Sequence, residues 1–292
     1  MNFLRSLFGN KQETEEERKQ EQEAHDFDVL KYDGIKALRM QQFDHAERCF
    51  RHALQLQEDL ESRDYLSQVL IAKGDLEEAM EQLLVMSEAQ PDNVRLLIRM
   101  ADVAFMREDY MQMEYFCRHA AAADDTNPQP MLMLAHALNG QSKWEEAVEA
   151  LNKATELQAD YGDAYLLRGN IRMENGALAE AEEDVAWLQE HAQESEEIWM
   201  LKGKLESKKG NHTAAAEAFS KVIDLNPFNS SAYACRGAER LACGDEEGAK
   251  EDLDAVAEMA PQDIDNVMGN TPENLEQKVR QAYRDNNPFG LG

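Results

Sequence analysis

The sequence predicts an all-α chain built as a solenoid of antiparallel helix pairs. Three observations carry that prediction. Ser67, Ala101, Ala135, Gly169, Gly203 and Gly237 follow one another at intervals of 34 residues. Ala79, Met113, Ala147, Ala181, Ala215 and Ala249 keep the same interval, each twelve residues behind a member of the first series. Gly34 and Ala46 extend both series backward with a single-residue slip. Around these positions the apolar residues recur with helical spacing, and no strand pattern interrupts them. A period this strict marks one supersecondary unit stacked on copies of itself.

The segment from Glu196 to Asn229 shows how the unit works. Trp199, Gly203 and the apolar residues between them give one helical stripe, ended at Lys208-Lys209-Gly210. Thr213 is placed to cap a second helix whose inward face carries Ala215, Phe219 and Val222, and Pro227 stops it. Two antiparallel helices approach closely only where one offers Gly or Ala to a bulky side chain of the other. Gly203 and Ala215 are those points, with Trp199 and Phe219 filling the space beside them.

This unit resembles the tetratricopeptide repeat, a 34-residue helix–turn–helix with large, small, aromatic and proline residues at these offsets. Seven copies lie at 27–59, 60–93, 94–127, 128–161, 162–195, 196–229 and 230–263. Gly74, Gly176, Gly210 and Gly244 mark turns between helices, and Pro91, Pro227 and Pro261 mark repeat ends. The third copy is degenerate, with Met113 at a small position and Cys117 at an aromatic one. The first has Glu58 where proline is expected. The resemblance implies a right-handed superhelix whose concave groove binds protein.

The ends differ from the repeats. Residues 1–10 carry Phe3, Leu4, Leu7 and Phe8 as a short amphipathic segment. Residues 11–26 form an acidic linker or helix led by Glu13, Glu15, Glu16 and Glu17. Thr271-Pro272-Glu273 reads as the start of a capping helix within 264–285, with Leu275, Val279, Ala282 and Tyr283 on one stripe. Residues 286–292 form a turn-rich, flexible tail. Its Asn287-Pro288-Phe289 matches a short endocytic docking motif, a match of low specificity.

Composition narrows the function. The chain has 30 Lys and Arg against 58 Asp and Glu, a formal net charge of −28. That charge repels phosphate backbones, so nucleic acid is not an expected partner, and pentatricopeptide arrays, which need a basic groove, fit poorly. No apolar run is long enough to span a membrane, and residues 1–10 lack the features of a signal peptide, so cytoplasmic residence is expected. Cys49, Cys117, Cys235 and Cys243 read as reduced residues of helical segments. Only Cys235 and Cys243, eight apart, leave a redox pair open.

Chemistry is sparse. The seven histidines form no HExxH motif and no ligand spacing with cysteine, although His45 and His52 share a helix face. Pairs such as Glu77-Glu78, Glu145-Glu146 and Glu182-Glu183 sit where they complement helix dipoles. No enzyme activity, cofactor or metal is expected.

The resemblance places the partner on the first helix of each repeat. The candidate groove residues are Tyr32, Tyr65, Arg99, Asp102, Met106, Met133, His136, Asn139, Asn170, Met173 and Lys204. Their methionines suit an adaptable site for a peptide or helix, and the acidic charge favours basic or apolar partners. Arg168-Gly169-Asn170 resembles the opening of the carboxylate clamp of one tetratricopeptide subclass. Glu197, Leu201, Ser231 and Cys235 stand where its other residues belong, so that clamp is not implied. The expected function is a non-catalytic scaffold or adaptor. The alternative is an assembly factor or co-chaperone tethered to a membrane or larger complex through residues 1–10.

Overall fold

The computed structural model describes residues 14–191 and 194–259. The expected segment 1–10, the capping helix at 264–285 and the tail 286–292 lie outside the described residues. Contacts divide the chain into two compact units, Met1–Lys143 and Trp144–Gly292. Fourteen helices and no strands are found among the described residues.

In the first unit, α1 (Glu15–Arg39), α2 (Phe43–Leu56), α3 (Leu60–Lys73), α4 (Leu76–Ala89), α5 (Val94–Met106), α6 (Tyr110–Ala123) and α7 (Gln129–Gly140) follow in order, each packed on the next. The acidic stretch from Glu15 is helical and continuous with the first repeat, and Thr14 and Glu17 close a capping box at its start. Ala37, Ala46, Phe50, Leu66 and Leu70 form the core under α1–α3. Gly34 lets the Phe50 ring through: a Cβ there would meet it at 2.8 Å.

The second unit holds α8 (Trp144–Leu157), α9 (Gly162–Glu174), α10 (Leu178–His191), α11 (Glu196–Lys208), α12 (His212–Leu225), α13 (Ser230–Ala242) and α14 (Glu246–Met259), again each on the next. One core joins Met173, Val185, Leu188, Leu201 and Leu205. Val222, Ile223 and Ala232 form another, flanked by Trp199. Gly203 receives the Phe219 ring, which would stand 2.5 Å from a Cβ. Thr213 lies inside α12, not at its cap; the helix starts one residue earlier, and Thr213 Oγ1 instead meets Cys243 Sγ at 3.7 Å.

The turns keep the 34-residue period in their backbone as well. Gly74, Glu108, Ser142, Gly176, Gly210 and Gly244 all have positive φ, between 55° and 84°. Gln41, one residue out of step, has φ 57°. The left-handed conformation strains any residue with a Cβ by about 1–2 kcal/mol. Glycine relieves the strain but makes the unfolded chain more flexible, an offset of about 0.4–1 kcal/mol. Glu108→Gly is therefore expected to stabilise the protein by roughly 0.5–1 kcal/mol, read as a higher midpoint in urea. A lower midpoint would show that the Glu108 side chain contributes more than its backbone strain costs.

Glu114 on α6 ties that helix to the turn after α7. It accepts hydrogen bonds from Gln141 at 2.8 Å, Lys143 at 3.0 Å and Arg118 at 2.8 Å. Burial alone would raise its carboxyl, but these donors outweigh burial and hold it at about 2, against an ordinary 4.5. A carboxyl depressed on folding contributes stability above its unfolded pKa and loses it as pH falls through the folded value. Stability is thus expected to fall between pH 4.5 and 2, and the slope should be shallower in Glu114→Gln, as measured by denaturation at stepped pH.

The cysteines are all free. Burial pushes Cys117 up to about 12 and also raises Cys49 and Cys235. Cys235 lies within α13 and Cys243 is its C-cap, eight residues on. The helical rise separates them by about 12 Å, beyond the reach of a disulfide. The redox pair left open by the sequence is thus excluded while α13 stays helical.

Candidate interaction surface

The first helices of the repeats lie beside one another inside each unit: α1 touches α3, α5 touches α7, and α9 touches α11. Residues at i, i+3 and i+4 on such helices share a face, and on α5 Asp102, Phe105 and Met106 fall at that spacing.

In the first unit Tyr32 is 68% exposed, Met106 54% and Phe105 47%. The Phe105 ring is held between Tyr110, at a centroid distance of 6.4 Å, and His136, at 6.1 Å. Tyr65 is half-buried and stacks on Phe50 with centroids 5.4 Å apart. Arg99 reaches back from α5 to form an ion pair with Asp64 on α3. Asp102 meets solvent, yet the protein packed around it raises its carboxyl pKa, and nearby Arg99 only partly counters that. His136 is exposed and Asn139 half-buried.

The second unit carries fewer of the expected residues at its surface. Lys204 is exposed, and Asn170 is half-buried with its amide donating to the Leu166 carbonyl at 2.8 Å. The methionines depart from expectation. Met133 and Met173 are buried, and Met173 belongs to the core with Leu201 and Leu205. The neighbouring first helix supplies the large side chains that cover it. Met106 has no such cover and stays open.

A feature the sequence reading did not single out lies next to Asn170. Arg168 spans α9 to α10, with Nη2 2.6 Å from Asp184 Oδ1 and Nη1 2.7 Å from Asn152 Oδ1. Arg172 adds a bond of 2.7 Å to Asp184 Oδ2. Sixty-eight residues on, Arg236, Arg240, Asp252 and Ser220 repeat the arrangement, with Arg236 Nη2 2.6 Å from Asp252 Oδ1. The fragment that resembled a carboxylate clamp is therefore an interhelical brace, its guanidinium committed inside the protein. The 68-residue spacing of Tyr165 and Tyr233, Arg168 and Arg236, and Asp184 and Asp252 was the available signal.

Among the described residues no group of three His, Cys, Asp or Glu side chains converges to hold a metal. No helix among them is long and apolar enough to cross a membrane.

Comparison with known proteins agrees with this geometry. Residues 135–176 match the model described as TPR repeat, and residues 196–229 the model described as Tetratricopeptide repeat. A tetratricopeptide repeat protein from Parabacteroides merdae shares the fold with a TM-score of 0.68 at 14% identity, over 89% of this chain and 99% of that one. PilW, a widely conserved type IV pilus biogenesis factor, aligns with a TM-score of 0.62 at 14% identity, over 76% of this chain and 99% of its own. The human Protein O-mannosyl-transferase TMTC1 is 21% identical over 186 residues, 62% of this chain. The match spans only 21% of that protein's length. Two segments thus match as tetratricopeptide repeats, and the helix pairs share the fold of a solved tetratricopeptide repeat protein.

Proposed function

We propose that the chain is a non-catalytic scaffold or adaptor of seven repeats that binds a peptide or helical segment of another protein on its first-helix face. The observation that carries this is the exposure of Tyr32, Phe105 and Met106 on first helices, with Phe105 and Met106 adjacent on α5. Large apolar groups left open on a face flanked by polar handles are the usual mark of a protein-binding surface. Tyr65, Arg99, Asp102, His136, Asn139, Asn170 and Lys204 belong to that surface in this reading, and the buried Met133 and Met173 support it from beneath. The tetratricopeptide fold serves in general as an interaction scaffold, which favours a role without catalysis. The formal charge of −28 favours a basic or apolar protein segment over nucleic acid. Four free cysteines suit a reducing, cytoplasmic setting.

The test is affinity purification with the intact chain and with a Tyr32→Ala, Met106→Glu, Lys204→Glu variant whose helicity is checked by circular dichroism. The same proteins should be recovered by the first and lost from the second. Recovery of one set by both would place binding elsewhere and overturn the reading.

A further inference from the structure

Asp102 is an exposed carboxylate on α5. Buried and half-buried carboxylates between the helices are paired with cations: Glu47 with Lys73 and Arg51, Asp59 with Lys31, Glu114 with Lys143, and Asp184 and Asp252 with two arginines each. Asp102 has no hydrogen bond or ion pair among the described residues, and the nearby cation, Arg99, is engaged with Asp64. An exposed carboxylate without a cation of its own is open to a charge-assisted hydrogen bond from a partner's cation.

The residues one turn on define what shape that cation must have. Phe105 and Met106 follow Asp102 on the same face of α5 and are both about half exposed. The Phe105 ring contacts Tyr110 and His136 and offers an aromatic floor, while Met106 can adapt its shape. An apolar floor ending in a carboxylate matches a side chain with an apolar stem and a positive head. The surplus negative charge of the chain draws such a group toward it.

We propose that Asp102, Phe105 and Met106 form the seat for a lysine or arginine side chain of the protein partner. Its methylene stem lies across Phe105 and Met106, and its cation is placed on the Asp102 carboxylate. This rests on the first-helix face being the binding surface and adds the chemical identity of the anchoring residue.

A displayed library of random twelve-residue peptides, selected on the immobilised full chain, tests both levels. Selected peptides are expected to share a Lys or Arg. Replacing that residue by norleucine should weaken binding about tenfold, and Asp102→Asn should do the same to the unmodified peptide. Selection on Asp102→Lys should shift the shared residue to Asp or Glu. Peptides that are weakened by Tyr32→Ala or Met106→Glu but indifferent to norleucine and to Asp102→Asn would overturn the seat and leave the binding face standing. Peptides indifferent to all of these variants, or no selected peptides at all, would overturn both. Unchanged melting temperatures of Asp102→Asn and Asp102→Lys establish that the readout is binding and not unfolding.

Discussion

Asp184→Ala is expected to cost about 3–5 kcal/mol of stability, among the largest losses of any single substitution in the chain. Asp184 is 1% exposed and Arg168 9% exposed. One carboxylate serves two guanidinium groups, receiving Arg168 through Nε and Nη2 and Arg172 through Nη1. Alanine would leave Arg168 inside the protein with only Asn152 and Thr155 as neutral acceptors. The cost is mainly that stranded charge, because the intact pair itself gains little over an apolar replacement. The triple variant Asp184→Leu, Arg168→Met, Arg172→Met should therefore recover most of the loss. Urea denaturation followed by circular dichroism measures both. A loss below about 1 kcal/mol in Asp184→Ala would mean that water reaches Arg168 and that the brace is solvated. Asp252→Ala should repeat the effect at Arg236 and Arg240.

The repeat architecture was readable because close helix contact restricts what can stand at the crossing. Gly34 and Gly203 occupy that position and each faces a phenylalanine ring, so their spacing reports geometry directly. The brace was not read, because arginine and aspartate belong to no apolar ladder, and Arg168-Gly169-Asn170 invites a binding interpretation when taken alone. Only comparison at twice the period brings Arg168 and Arg236 together with Asp184 and Asp252. The interaction surface was partly legible. Helical spacing assigns Met106 and Met173 to first helices, but whether each is open depends on the next helix along. Leu201 and Leu205 close over Met173, whereas Phe105 and Met106 meet no comparable cover. Sequence spacing fixes the direction a side chain takes from its own helix; the size of residues one repeat away decides its exposure.

Phe219→Ala is expected to cost about 3–5 kcal/mol, and its cost is bound to that of Gly203. The Phe219 ring is 1% exposed and fills the space that the missing side chain of Gly203 leaves between α11 and α12. Truncating the ring opens a cavity whose walls are two helices held apart by their other contacts, so collapse is limited. The reciprocal change, Gly203→Ala, places a methyl carbon 2.5 Å from the ring and forces it or the helix to move. Overpacking of that kind costs about 1–3 kcal/mol, set against about 1 kcal/mol of better helix propensity for alanine. In a Phe219→Leu background the smaller side chain leaves room, so Gly203→Ala should become neutral or stabilising. The double-mutant cycle should then show a coupling of about 1–2 kcal/mol, the range found for side chains in direct contact. Additive effects would mean that the ring moves aside at little cost. The small residue at this crossing would then be a matter of helix approach alone and not of a ring seated in its place.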